Sequence, residues 1–211
     1  PLSSTPFTIM TWPTNPDSNY IFGGWYVPDY PCIEVYQWLQ PVYLEYPSYT
    51  TGTIFIKYII VNHCSDCHDI GVLLQLDTDI DSNDAAELST VLGYSGIEED
   101  FWNCDTCTFP CYWYAYADPA GPSGDPDQLI ALGILCGYDA VTPGRFAVGA
   151  WPTFYDVEWD LVPSGTDYWD SAVLIWWYPE EVCPDETLTT ATYFGLGEPL
   201  LGELIINIPV Y

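Results

Sequence analysis

An all-β fold, built as a single antiparallel β-sandwich with long disulfide-braced loops and at most one short helix, is predicted by three features of the 211-residue sequence. Short segments rich in β-branched and aromatic residues recur along it. Gly, Pro, Asn or Asp separate them, and helix signals are scarce. In chain order the predicted strands are 53–61, 71–76, 129–135, 145–151, 171–177, 187–194 and 203–211. The one helix candidate is 84–92, where Asp84 stands as N-cap, Glu87 three residues later and Gly93 past the end. The stretch 103–127 gathers Cys, Pro, Gly and Asp, and reads as a long crosslinked loop. Because the 19 Pro and 16 Gly are spread along the chain, no linker divides it. The predicted organisation is an extended N-terminal segment, 1–12, followed by one sandwich domain, 13–211.

Charge narrows the function. Thirty Asp and Glu oppose only Lys57 and Arg145, for a net charge of −28. Such a field repels phosphate backbones and anionic head groups, so nucleic acid and electrostatic membrane docking are excluded and divalent cations are the expected partners. Disorder is excluded as well, since 49% of residues are hydrophobic and 10 Trp, 18 Tyr and 8 Phe are present. No apolar run reaches the roughly 18 residues of a membrane helix, so no membrane insertion is predicted. The sequence opens at Pro1 without an initiator Met or a leader, which predicts either removal of a signal peptide or excision from a longer chain; the cysteines favour removal. Eight cysteines, Cys32, Cys64, Cys67, Cys104, Cys107, Cys111, Cys136 and Cys183, then point to an extracellular, oxidising compartment and up to four disulfides of unspecified pairing.

Several segments resemble a largely uncharacterised β-sandwich module of archaeal and bacterial cell-surface proteins. They are Ile56–Asn62, His68 through Thr78, Asn83-Asp84, Pro143-Gly144-Arg145-Phe146, Trp151, Glu158-Trp159-Asp160, Asp170 through Val173, and Thr192 through Gly197. The resemblance covers roughly residues 50–200. It implies a sandwich fold and a cell-surface location, and it brings no catalytic residues. The many cysteines, the aromatic-rich first 50 residues and the scarcity of basic side chains depart from it.

Two constellations carry candidate chemistry. Asp77, Asp79, Asp81, Asn83 and Asp84 place oxygen ligands at nearly every second position after a strand, as in the first half of a calcium loop. Ser82 stands where an EF-hand needs Gly and Leu88 where it needs Glu, so Glu87 or a distant carboxylate must complete the shell, and a solvated acidic turn is the alternative. Cys64-x-x-Cys67-His68 is the attachment signature of a c-type haem. A disulfide bracing the turn, or a zinc site using Cys104, Cys107 or Cys111, uses the same residue types. The acidic groups Glu98-Glu99-Asp100, Asp125/Asp127 and Asp156/Glu158/Asp160 read as solvated edges. Arg145 is expected to pair with Asp160 or Asp170 and so order adjoining loops. Of the adjacent Trp176 and Trp177, one is expected to face inward.

Neither His has a Ser or Lys partner, so the sequence favours a non-enzyme. The functional expectation is a structural subunit of an extracellular filament or surface layer, in which copies of the chain join head to tail by strand exchange. The apolar start (Phe7, Ile9, Trp12) and the strand-like end at 204–211 motivate this, with disulfides and calcium as stabilisers. One alternative is a single-haem electron carrier using Cys64, Cys67 and His68. The other is a monomeric carbohydrate-binding or glycosidase-like surface module.

Overall fold

The computed structural model describes residues 8–14, 20–44, 50–118, 121 and 127–197. In chain order its strands are β1 (Thr8–Thr14), β2 (Ile21–Val27), β3 (Tyr30–Leu44), β4 (Thr50–Asn62), β5 (His68–Asp77), β6 (Leu88–Thr90), β7 (Gly93–Ser95), β8 (Glu99–Trp102), β9 (Tyr112–Tyr116), β10 (Ile130–Ile134), β11 (Arg145–Ala150), β12 (Ser171–Val182) and β13 (Thr187–Leu196). One helix, α1 (Trp151–Val157), runs into a 3-10 turn (Glu158–Asp160). Nine strands form one sheet in the order β1-β2-β3-β4-β13-β10-β9-β6-β7, and four form the other in the order β5-β12-β11-β8. Every pairing among the described residues is antiparallel, and the predicted sandwich is observed. No helix among the described residues is long and apolar enough to cross a membrane.

Period-two alternation explains how the layers meet. Trp113, Ala115 and Ala131 of the larger sheet pack with Phe146, Val148, Val173, Ile175 and Trp177 of the smaller one in the inter-sheet core. The intervening residues Ala147, Ala172, Leu174 and Trp176 face the other way, where Phe154 of α1 and Leu161 cover them. The adjacent tryptophans therefore split between the two faces, as expected for neighbours on a strand. α1 exists because this second apolar face needs a cover. Pro152 suits a helix's first turn, where its missing N–H costs nothing, and Phe154 is fully buried beneath it.

Gly133 shows how tightly the inter-sheet layer is filled. A Cβ there would lie 2.2 Å from the ring of Trp113, itself fully buried. Gly133→Ala is expected to lower unfolding stability by about 3 kcal/mol, because no rotamer of a fully enclosed indole relieves the overlap. Urea denaturation checks this.

Four disulfides account for all eight cysteines. Cys32–Cys64 and Cys67–Cys183 fasten the β4–β5 turn to β3 and to the β12–β13 turn. Cys111–Cys136 joins the entry of β9 to the exit of β10, and Cys104–Cys107 closes a tight loop after β8.

Other expectations need correction. Residues 84–92 are not helical: Leu88–Thr90 forms β6 and pairs with β9 from Leu88↔Ala115 to Thr90↔Trp113. A helix of two turns carries its full nucleation cost, and burying Leu88 and Ala86 in the inter-sheet core outweighs the local capping signal. The stretch 103–127 is not all loop, because Tyr112–Tyr116 forms β9, buried along its whole length. Its Tyr-Trp-Tyr-Ala-Tyr composition is a strand signal that the surrounding Pro, Gly and Cys obscured. The predicted boundary at residue 12 falls inside β1, which pairs with β2 of its own chain from Thr8↔Tyr26 to Thr14↔Phe22. The predicted strand at 203–211 and the strand-like end at 204–211 lie outside the described residues.

Candidate functional site: an aromatic face on the four-stranded sheet

The chemistry-bearing residues of the smaller sheet meet on its outer face. Register places Arg145 of β11 directly opposite Trp102 of β8 on one side and Trp176 of β12 on the other. The guanidinium carbon lies 4.6 Å from each indole centroid, so the cation is held between two electron-rich rings. Asp100, two residues before Trp102 and so on the same strand face, accepts from Arg145 Nε at 2.8 Å and Nη2 at 2.6 Å. Arg145 Nη2 also donates to the Leu161 carbonyl at 2.8 Å. The expected structural role of Arg145 is observed, but its carboxylate partner is Asp100. Asp160 and Asp170 were the wrong candidates because neither lies on the neighbouring strand β8.

This arrangement fixes Trp102 as a platform. Its Nε1 donates to Asp100 Oδ2 at 2.8 Å, and Arg145 packs against its ring, yet it remains 47% exposed. Tyr178, two residues beyond Trp176, lies beside it with ring centroids 5.9 Å apart and planes within 14°. Burial raises the Tyr178 phenol's pKa, and Arg145, through its charge and a hydrogen bond, pulls it back. Trp159 of the 3-10 turn follows at 6.2 Å from Tyr178. Gly71 and Gly144 make the close approach possible: a Cβ would meet the Trp159 ring at 2.8 Å from the first and the Tyr178 ring at 2.5 Å from the second. The result is a cluster of three aromatic rings, with Trp102 held against a buried cation and 47% exposed, Tyr178 39% exposed and Trp159 packed partly against the core.

The predicted site residues lie elsewhere. Asn83 is buried and serves its own loop, donating to the Tyr116 carbonyl at 2.9 Å and accepting from the Ala85 amide at 3.3 Å. Asp77 accepts from the Asp79 amide at 3.1 Å, and Asp79 and Asp81 are exposed, with Asp81 at a positive φ of 60°. What converges is Asp77, Asp84 and Asp170, whose carboxylate oxygens lie within 4.8 Å of one another. Burial, together with the charges of Asp84, Asp77 and Asp79, raises the Asp170 pKa. Asp170 immediately precedes β12, and Thr78–Ser171 hydrogen bonding at 2.6 Å holds that strand end against the loop.

The haem expectation is overturned. Cys64 and Cys67 each give their sulfur to a disulfide, with Cys32 and Cys183, so neither can form a thioether and they do not pair with each other. His68 packs edge-on to Tyr30 at 5.2 Å, while His63 lies 3.5 Å from Glu34 and 3.4 Å from Asp185. Asn62 organises this turn instead, donating to the carbonyls of Asp66 and Val182 and accepting from the Cys64 amide. The zinc alternative fails for the same reason, since Cys104, Cys107 and Cys111 are oxidised. The cluster of Cys67, Glu181 and Cys183 offers no thiolate either.

No family model matches the sequence, and no curated protein matches it. Among solved structures, the chain is similar to a galactose mutarotase-related enzyme from Lactobacillus acidophilus, with TM-score 0.45 and 7% identity over 92% of this chain and 72% of that one. An aldose 1-epimerase candidate from Escherichia coli K12 gives TM-score 0.47 and 7% identity over 92% and 69%. Another from Klebsiella pneumoniae gives 0.45 and 11% over 85% and 51%. Likenesses of this degree assign no activity. The neighbours bear the names of sugar-epimerase-related proteins and not of filament subunits, and neither the filament-subunit nor the non-enzyme expectation is carried forward. In the segment read as a donor strand, Thr8, Ile9 and Thr11 pair with β2 of their own sheet.

Proposed function

We propose that this chain is a saccharide-binding β-sandwich module of an extracellular protein, with the Trp102–Tyr178–Trp159 face as its binding surface. The preorganised platform carries the reading: Trp102 is fixed at its Nε1 by Asp100 and against Arg145, and still exposes 47% of its surface. Pyranose rings present an apolar C–H face to aromatic rings, and rigid Trp and Tyr supply large contact area at small entropic cost. Four disulfides support the extracellular location, because such bonds persist in oxidising compartments.

An array of immobilised oligosaccharides tests the reading. The chain is expected to bind a subset of them, and Trp102→Ala to reduce that binding at least tenfold while the circular dichroism spectrum stays that of a β-protein. Undiminished binding by Trp102→Ala, or no binding to any oligosaccharide, would overturn it.

The calcium expectation narrows to Asp77, Asp84 and Asp170, three carboxylates that crowd one another and would gain from a hard divalent cation. Without cations, the raised Asp170 carboxyl stabilises the fold fully only below the ordinary Asp range near ~4. That contribution is lost as pH rises through its higher folded value. Asp170→Asn should therefore flatten the wild-type decline in melting temperature with pH above ~4, and calcium should raise the melting temperature of wild type but not of the variant. Thermal scans with and without chelator check both outcomes.

A further inference from the structure

We propose that Cys104–Cys107 is a thiol–disulfide exchange site, opened by a dithiol reductant while the other three disulfides stay closed. Both of its cysteines are exposed, and so are Asp105 and Thr106 between them. Each of the other bonds has at least one half-buried cysteine: Cys32 and Cys64 in the first, Cys183 in the second and Cys136 in the third. Those bonds also sit in structure that resists opening. Cys64 packs against the core cluster of Ile33, Ile60, Val182 and Leu188, and the Cys111 carbonyl accepts from the amides of Leu135 and Cys136 at 2.7 and 3.2 Å. A thiolate has to reach a sulfur before it can displace one, so access favours the bond after β8.

Thermodynamic linkage points the same way. Whatever a disulfide contributes to the fold, the fold contributes to the disulfide, and a bond spanning only 3 residues contributes least. Its surroundings are held without it. Asn103, just before it, donates from its backbone amide to the Gly144 carbonyl at 3.0 Å and from its side chain to the Pro143 carbonyl at 3.2 Å. Just after it, Phe109 packs against the inter-sheet core and Pro110 is buried. β8 and Trp102 therefore keep their place whether the bond is open or closed.

Thr106 sets the direction of attack. Its hydroxyl lies 3.7 Å from Cys104 Sγ, where it can donate to the thiolate that Cys104 becomes as leaving group, and a stabilised thiolate leaves faster. A thiolate of the dithiol attacks Cys107 Sγ, the S–S bond breaks, and Cys104 departs with the electron pair and takes a proton from water. The second thiolate of the dithiol then attacks the reductant's own sulfur in the mixed disulfide and releases Cys107, which is protonated in turn. The dithiol ends as a disulfide, and two electrons and two protons have passed to Cys104 and Cys107.

The test treats the full chain under native conditions with limiting dithiothreitol, quenches samples with acid at intervals, alkylates the free thiols and reads the labelled peptides by mass spectrometry. Cys104 and Cys107 are expected to become labelled together, about tenfold or more faster than any other cysteine, while the circular dichroism spectrum stays that of a β-protein. The double variant Cys104→Ser, Cys107→Ser should lose this fast phase and keep that spectrum. Thr106→Val should slow the fast phase about threefold or more, the worth of one hydrogen bond. With β-mercaptoethanol in place of the dithiol, the acid-trapped adduct should sit on Cys107. Labelling of another pair first or equally fast, or of Cys104 and Cys107 only as the β-spectrum is lost, overturns the site. An adduct on Cys104, or an undiminished rate in Thr106→Val, overturns the direction of attack and leaves the site standing.

Discussion

Replacing Arg145 with Met should lower the stability of the chain by about 3 kcal/mol, the lower end of the cost of breaking a buried ion pair. Arg145 is 4% exposed, and Asp100 retains 20% side-chain exposure, so Asp100 recovers some solvation when its partner is lost. The change also leaves the Leu161 carbonyl without its donor and removes the cation between Trp102 and Trp176. In a chain of this size the expected fall in melting temperature is roughly 6–12 °C. Arg145→Lys should recover little of it, because a point ammonium cannot serve Asp100 and a carbonyl while lying flat between two indoles. A calorimetric scan of the three proteins measures the series. A loss within ~0.5 kcal/mol for Met would mean the stack is ornamental to the fold.

The second large effect concerns the disulfides, which should differ in worth according to the loop each closes. Cys67–Cys183 spans 116 residues, and on the chain-entropy account its removal as the double Ser variant costs about 4–5 kcal/mol. Cys104–Cys107 spans 3 residues, and the corresponding double variant should cost about 2 kcal/mol or less. Denaturant titration of both variants gives the ranking, and a reversed order would show that native packing around the bonds dominates over loop closure.

Much of the sandwich was legible in the sequence because its central strands obey local rules. β4, β5, β10, β11, β12 and β13 all overlap runs of β-branched or aromatic residues bounded by turn residues. β3 was not legible: its 15 residues hold Pro31 and Pro41 and several polar side chains, and they become a strand through pairing with β2 and β4. The same tertiary override made β6 from a segment with helical capping.

The binding face was hidden for a different reason. Trp102, Arg145 and Tyr178 are far apart in sequence and meet through the β8–β11–β12 register, and Trp159 joins them from the 3-10 turn. Two signals were nonetheless present, the alternations Asp100-x-Trp102 and Trp176-x-Tyr178, each putting its pair on one strand face. Cysteine chemistry misled in the opposite direction. Cys64-x-x-Cys67-His68 matches a haem signature by spacing alone, and only the approach of Cys32 and Cys183 in space shows that the sulfurs are committed. The acidic run 77–84 called for Glu87 or a distant carboxylate to complete its shell, and the carboxylate that converges with Asp77 and Asp84 is Asp170, just before β12.

The central claim, that the outer face of the four-stranded sheet binds sugar through Trp102, is tested most directly by following the ten tryptophan indole N–H resonances while an oligosaccharide retained on the array is titrated into the 15N-labelled protein. The account predicts that the Trp102 and Trp159 signals shift and saturate together, while those of Trp113 in the inter-sheet core stay fixed. Saturable shifts confined to other tryptophans, with Trp102 unmoved, would contradict it.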